Sequence, residues 1–125
     1  MIKFRGWDNE ENFMLQHKQL MNIMNSSELG YDIFEDPTYH IMQYSGINDY
    51  QNTEIYVGDV LADRYSKSTG IIFEIVEGEG KFQLLAFKRG FKMHTSALID
   101  FAPYKYRVIG NIYKNKKLLD IKVVD

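Results

Sequence analysis

Between Met42 and Leu61 the chain reads MQYSGINDYQNTEIYVGDVL. The apolar run Tyr39–Tyr44 leads into this stretch and stops at Ser45-Gly46, and a polar connection rich in Asn and Asp follows. The side chains of Asn and Asp hydrogen-bond to their own backbone in turns. The segment EIYVGDVL then restores residues that favour β structure. The pattern therefore predicts a strand, a turn and a second strand.

The second strand is interrupted by Gly58-Asp59. Glycine inside a strand pattern indicates a bulge or a sharp bend, because glycine reaches positive φ at little cost. We expect the Asp59 carboxylate to cap this bend by accepting hydrogen bonds from nearby amides. In an alternative interpretation, Glu54 and Asp59 form a paired-carboxylate site for a metal ion or for acid–base chemistry. That site needs a further ligand or a histidine, and no such residue stands at a convincing spacing.

A similar pattern recurs near the C-terminus, where the chain reads VIGNIY from Val108 to Tyr113. The composition of Tyr104–Tyr113 predicts a closing strand with a kink or bulge at Gly110-Asn111. Beyond it, Leu118–Val124 alternates apolar and polar residues and predicts a short extra strand. A strand of that kind could pair with the edge of a second copy.

The blocks IKFRGWD at Ile2–Asp8, MQYSGI with EIYVGDV in the centre, and VIGNIYKN at Val108–Asn115 together resemble the YopX family of small phage and prophage proteins. Two departures stand out: the connection Asp49–Thr53 lacks a glycine before EIY, and Lys116–Asp125 continues past the usual Leu-Leu ending. The resemblance implies a β-rich phage protein of the host bacterial cytoplasm. It supplies no activity and no catalytic residues.

The chain has 125 residues, of which 45% are hydrophobic and 26% charged, and it contains no cysteine. Its length predicts a single domain over residues 1–125 with a core of its own. The absence of cysteine excludes disulfides, thiolate catalysis and thiolate metal sites. No apolar run is long enough for a signal peptide or a bilayer span, so we expect a cytoplasmic protein that does not enter the membrane.

Three segments in the first third of the chain have weaker patterns. Ile2–Trp7 alternates apolar and basic residues and predicts a half-buried strand with Trp7 in the core. Phe13–Asn25 predicts one short helix, although strands are also allowed there. The acidic loop that follows is expected to include a short strand at Tyr31–Phe34.

The clearest local prediction is a hairpin, in which Ile71–Val76 and Lys81–Phe87 are joined by Glu77–Gly80. With five to eight short strands and many turn residues, the chain predicts a mainly β fold. We expect a small SH3-like barrel or half-barrel with one short helical or irregular excursion.

Charge is distributed unevenly along the chain. Residues 1–60 carry three Lys or Arg and ten Asp or Glu, whereas the remaining 65 residues carry twelve basic and seven acidic side chains. This polarity suits contacts between copies or a basic face for nucleic acid. The candidate nucleic-acid-binding residues are basic or aromatic and come from two turns: Lys88, Arg89, Phe91, Lys92, Lys114, Lys116 and Lys117.

Two functions remain open. The first is a non-enzymatic assembly or adaptor protein that contacts an unidentified phage or host protein and forms a homo-oligomer. The alternative is a nucleic-acid-binding module that uses the basic and aromatic face of a small barrel. No motif in the chain carries catalysis, and we expect no cofactor and no metal ion.

Overall fold

The computed structural model describes residues 2–98 and 105–118. The chain divides into two compact units, residues 1–44 and 45–125, and the single domain stays a prediction. The described residues form nine strands and two helices: β1 Phe4–Asp8, β2 Phe13–Leu15, α1 His17–Ser26, β3 Tyr39–Asn48, β4 Glu54–Tyr56, β5 Asp59–Ala62, α2 Ser66–Thr69, β6 Ile71–Gly78, β7 Lys81–Lys88, β8 Phe91–Leu98 and β9 Arg107–Asn111.

In the first unit, β1 lies between β2 and β3 and pairs antiparallel with both. Trp7 on β1 is only 5% exposed, which confirms the predicted strand and its buried tryptophan. The core of this unit consists of Leu15, Leu20 and Ile33, with partly buried apolar side chains around them.

The predicted helix begins later than expected, because Phe13–Leu15 pairs with β1 before α1 starts. The backbone N–H of Gln16 donates to Gln19 Oε1 at 2.8 Å at the start of α1. Leu20 buries its side chain against β1, where a Cβ added at Gly6 would approach the leucine Cδ2 to 2.9 Å. Glycine at position 6 therefore allows the helix to pack closely.

The strand predicted at Tyr31–Phe34 is wrong, since Tyr31 and Asp32 are irregular and Ile33 and Phe34 lie in a turn. Asp32 Oδ1 accepts the N–H of Phe34 at 2.9 Å, and Asp36 Oδ1 accepts the N–H of Thr38 at 2.9 Å. Aspartate side chains that accept nearby amides replace the ladder partners that a strand requires.

The end of the strand predicted at Ser45-Gly46 is also wrong, because β3 continues to Asn48. Gly46 has φ +84°, a conformation that glycine adopts without a Cβ clash. The final residues of β3 belong to the second unit, where β4 follows β3 in the sheet order.

The second unit contains an antiparallel sheet in the order β8-β7-β6-β5-β9. The predicted hairpin is confirmed with a tighter turn than expected: Gly78 pairs with Lys81, and Glu79 and Gly80 both have positive φ. Two consecutive positive φ angles match the right-handed twist of paired strands. The core residues of this unit are Ile55, Leu61, Ile75 and Leu84.

This architecture confirms the predicted fold class, a mainly β protein with a half-barrel sheet and little helix. Neither helix in the described ranges is long and apolar enough to cross a membrane. Most of the extra strand predicted at Leu118–Val124 lies outside the described residues.

Candidate functional site

The two glycine-containing blocks of the sequence meet in one ladder, because β5 pairs with β9. Val60 lies opposite Gly110 and Leu61 lies opposite Val108, so that the intervening Ile109 forms a bulge. Asp59 is 1% exposed, and its Oδ2 accepts the N–H of Tyr56 at 2.8 Å. The predicted cap at the Gly58 bend is confirmed. The bulge predicted at Gly110-Asn111 lies one residue earlier, at Ile109.

Both carboxylates of the alternative paired site accept hydrogen bonds from neighbouring residues. Asp59 Oδ1 accepts from Asn111 Nδ2 at 3.2 Å, and Glu54 Oε1 accepts from the Tyr56 hydroxyl at 3.1 Å. In the part of the chain that the structure describes, no three His, Asp or Glu side chains group closely enough to hold a metal ion. These contacts give both carboxylates a role in the bend itself.

A second buried carboxylate, Asp49, organises the turn between β3 and β4. Asp49 is 4% exposed, and its Oδ1 accepts the N–H groups of Gln51 at 2.9 Å and Thr53 at 2.8 Å. Its Oδ2 accepts the N–H of Val108 at 2.8 Å. The turn is thereby attached to β9, the last strand of the sheet.

Tyr50 follows Asp49 directly, and its N–H donates to the carbonyl of Tyr106 at 3.2 Å. Its side chain is 53% exposed. These hydrogen bonds restrain the backbone of Tyr50, and its ring lies exposed at the surface.

Directly after β5, Asp63 begins a short turn into α2. Asp63 Oδ1 accepts the N–H of Tyr65 at 2.9 Å, and the Asp63 N–H donates to Ser66 Oγ at 2.9 Å. The helix ends at Gly70, which has φ +73° and donates its N–H to the Ser66 carbonyl at 2.8 Å. This compact turn leaves Arg64, Tyr65 and Lys67 exposed.

These turns and the start of β9 surround a cleft of about 880 Å³ in the second unit, which we call the tyrosine cleft. Its lining residues are Tyr50, Ala62, Asp63, Arg64, Tyr65, Ser66, Lys67, Lys105, Tyr106 and Arg107. Four of them are basic and one is acidic. The lining therefore carries net positive charge.

Of the three tyrosines that line the cleft, Tyr50 and Tyr65 are half-exposed, whereas Tyr106 is partly buried. Tyr65 is 53% exposed, and the Arg64 guanidinium lies 4.8 Å from its ring centroid while Nη2 donates to the hydroxyl at 2.6 Å. Tyr106 instead packs edge-on against Phe73, with ring centroids 5.1 Å apart. Burial, together with the charge of Asp63, raises the pKa of Tyr106, so its phenol stays neutral.

The structure separates the residues predicted to bind nucleic acid into two groups. In the antiparallel sheet, β5 and β7 end where β6, β8 and β9 begin. The β7–β8 hairpin with Lys88, Arg89, Phe91 and Lys92 therefore lies at the same end of the sheet as the tyrosine cleft. The three lysines that follow β9, which are Lys114, Lys116 and Lys117, lie at the opposite end.

Arg89 connects the hairpin to the cleft. Its N–H donates to the Gly70 carbonyl at 3.0 Å, and a Cβ added at Gly70 would meet Arg89 Cγ at 2.7 Å. The arginine side chain therefore lies on the end of α2, the helix that carries Lys67.

Sequence reasoning missed the cleft. The signal was present as DRYSK at 63–67 and YKYR at 104–107, where basic residues alternate with tyrosines. Each segment alone is typical of a polar turn or a strand end, and only the ladder between β5 and β9 brings the two together.

Comparison with known proteins gives a family and a fold. The profile of the family described as YopX protein matches residues 3–120. The crystal structure of protein EF1440 from Enterococcus faecalis is similar, with 27% sequence identity and a TM-score of 0.60 over 95% of this chain and 98% of that one. No curated protein matches the chain. The family match spans nearly the whole sequence, and the chain belongs to the YopX family.

Proposed function

We propose that this protein is a non-enzymatic nucleic-acid-binding module that holds the phosphate backbone in the tyrosine cleft. The observation that carries the proposal is the arrangement of four exposed basic side chains around a concave surface that also presents two half-exposed tyrosines. This proposal takes up the nucleic-acid-binding alternative drawn from the sequence. It places the binding site at the cleft and the neighbouring β7–β8 hairpin, and leaves out Lys114, Lys116 and Lys117 at the opposite end of the sheet.

Electrostatics support this location. Arg64, Lys67, Lys105 and Arg107 surround the cleft, and the side chains of Lys88 and Arg89 extend the basic surface at the same end of the sheet. Lysine and arginine side chains that neutralise phosphates release condensed counterions, which drives association. A local cluster of this kind acts despite an overall charge of −2, because charges beyond about 8 Å are screened at physiological ionic strength.

We add to the proposal a phage or prophage origin and a place of action in the host cytoplasm, and both rest on the family. The absence of catalysis is part of the same proposal. Its support is that the buried carboxylates Asp49 and Asp59 accept backbone hydrogen bonds and serve the fold.

The test is fluorescence anisotropy with labelled oligonucleotides of about 20 nucleotides, in single-stranded and duplex form, titrated at several salt concentrations. We expect binding that weakens as salt rises. The double variant Lys67→Gln/Arg107→Gln should weaken binding strongly. It should also reduce the salt slope by about 0.7 for each phosphate of a single strand that the variant no longer neutralises.

The matched control is Lys114→Gln/Lys116→Gln, which removes the same charge from the opposite end of the sheet. Binding should change little in this variant. An equal decrease in affinity in both double variants would show that total charge, and not the cleft, determines binding. Absence of salt-dependent binding by the natural sequence would refute the proposal.

A second function, assembly with another copy or with an unidentified phage or host protein, is favoured by the edge of the sheet. Within the described residues, β8 pairs only with β7. At the other edge, Asp49 already accepts the N–H of Val108 on β9. An uncovered edge strand is a template for pairing with a further strand. Sedimentation across micromolar concentrations tests self-association, and a strict monomer throughout would contradict it.

A further inference from the structure

We infer that the tyrosine cleft takes single-stranded nucleic acid in preference to duplex, with unpaired bases stacked on Tyr50 and Tyr65. The inference rests on the proposed function and specifies its ligand. Phosphate contacts alone would not distinguish single strands from duplexes, so the preference depends on the two aromatic rings.

The rings of Tyr50 and Tyr65 are exposed to solvent. Tyr50 and Tyr65 each expose 53% of their surface, although large aromatic side chains gain free energy by burial. Both line the same basic cleft. A flat aromatic surface beside cations is the combination that holds single strands, because every base has a π face that can stack. In a duplex these faces are covered by neighbouring base pairs.

Hydrogen bonds hold the backbone of both tyrosines in place before a ligand binds. The Tyr65 N–H donates to Asp63 Oδ1, and the Tyr65 carbonyl accepts the N–H of Thr69 at 2.9 Å. Tyr50 is held by its own bond to Tyr106 and by the carboxylate of Asp49 beside it. Rings on fixed backbones lose little conformational entropy when they bind a ligand.

The Arg64 guanidinium lies 4.8 Å from the Tyr65 ring centroid and donates to the Tyr65 hydroxyl. The contact restrains both side chains. It also places a charge that can meet a phosphate beside a ring that can stack on a base, and single-strand binding uses both kinds of contact.

The experiment uses the full chain and three labelled probes of about 12 nucleotides: a thymidine strand, an abasic strand with the same phosphates, and a duplex. A uridine strand forms a fourth arm that separates RNA from DNA. We expect the thymidine strand to bind about tenfold more tightly than the abasic strand. The uridine strand should also bind more tightly than the abasic strand.

The variants Tyr50→Leu and Tyr65→Leu remove the aromatic rings from exposed positions. Each should weaken thymidine binding about tenfold and leave abasic binding unchanged. Phe91→Leu tests the rival position, because Phe91 is a 72% exposed aromatic on the neighbouring hairpin. Phe13→Leu is the control that should leave binding unchanged, because Phe13 is a 43% exposed aromatic on β2 of the first unit.

Equal affinity for the thymidine and abasic strands, or tighter binding of the duplex, would overturn the inference and leave the proposed function intact. Weaker binding by Phe91→Leu without a decrease in either tyrosine variant would overturn it as well. If no probe binds, both the inference and the proposed function fail.

Discussion

Asp49 and Val108 are joined by a hydrogen bond of 2.8 Å that spans 59 positions of the sequence. The same carboxylate accepts two amides of its own turn, so one buried side chain fixes the turn and attaches it to β9. Tyr50 and Tyr106, which are close to these two residues in the sequence and line the cleft, are joined by a backbone hydrogen bond. The shape of the tyrosine cleft therefore depends on a residue that is itself buried.

Replacing Asp49 with alanine should lower the free energy of unfolding by about 2–4 kcal/mol, since three N–H donors lose a charged acceptor. Asp49→Asn keeps one carbonyl oxygen and should lose about half as much. Asp63→Ala removes a carboxylate whose partners are all local and should cost only about 1 kcal/mol. Urea denaturation measures all three, and equal losses of stability for Asp49→Ala and Asp63→Ala would contradict the role assigned to Asp49.

Gly110→Ala should destabilise the second unit by about 1–3 kcal/mol. The new Cβ would collide with Leu118 Cδ1 and lie 2.7 Å from Asn115 Oδ1, the atom that accepts the Asn111 N–H. Gly78→Ala is the matched control on a strand of the same sheet, because its Cβ would meet only Gln83 Oε1 at 3.8 Å. Thermal melting of the two variants should show a clear drop for Gly110→Ala alone, and similar melting temperatures would contradict the crowding at Gly110.

At alkaline pH the first unit should lose stability through Tyr31. Burial and the hydrogen bond from its hydroxyl to Asp36 Oδ2 at 2.7 Å raise the pKa of Tyr31 from 10.0 to about 12. A raised folded-state pKa gives stability that is complete below pH 10 and is lost as pH rises towards 12. The difference in melting temperature between the natural protein and Tyr31→Phe should therefore shrink across this window. A difference that stays constant from pH 9 to 12 would contradict the assignment.

At acidic pH the protein should lose the stability that Asp36, the hydrogen-bond partner of Tyr31, contributes. Hydrogen bonds from Thr38 and from the Tyr31 hydroxyl lower the pKa of Asp36 below 3.8. A lowered folded-state pKa gives stability that is present above pH 3.8 and is lost as pH falls through the folded-state value. Asp36→Asn should be less stable than the natural protein at pH 7 and approach it in acid. If the gap widens in acid, the proposed contribution of Asp36 is wrong.

The ionised carboxylate of Glu74 on β6 should lower the free energy of unfolding at neutral pH. Partial burial raises its pKa, although the charge of Lys92 counteracts part of the shift. The charged form is therefore disfavoured in the folded state, and Glu74→Gln should raise the melting temperature by a few degrees at pH 7 and have little effect below pH 4. Glu77→Gln, at an exposed position of the same strand, should change little at either pH. Destabilisation by Glu74→Gln at pH 7 would contradict this account.

Local chemistry made several features predictable. The hairpin after Ile71 and the bend at Gly58 follow from strand-forming runs next to residues that reach positive φ. The extension of β3 through Gly46 could not be read in this way, because pairing beyond the glycine overrides the local turn signal. The turn at residues 33–35 was missed because the Asp32 carboxylate, and not a neighbouring strand, accepts the N–H of Phe34.

By itself, the amino-acid sequence determined the mainly β class, the family and the bend at Gly58, because φ preferences and side-chain alternation act over a few neighbouring residues. Only the tertiary structure decided which basic residues share a surface. The pairing of β5 with β9 and the bond from Val108 to Asp49 join turns that are far apart in the chain, and side-chain patterns within one segment contain no information about such distant partners.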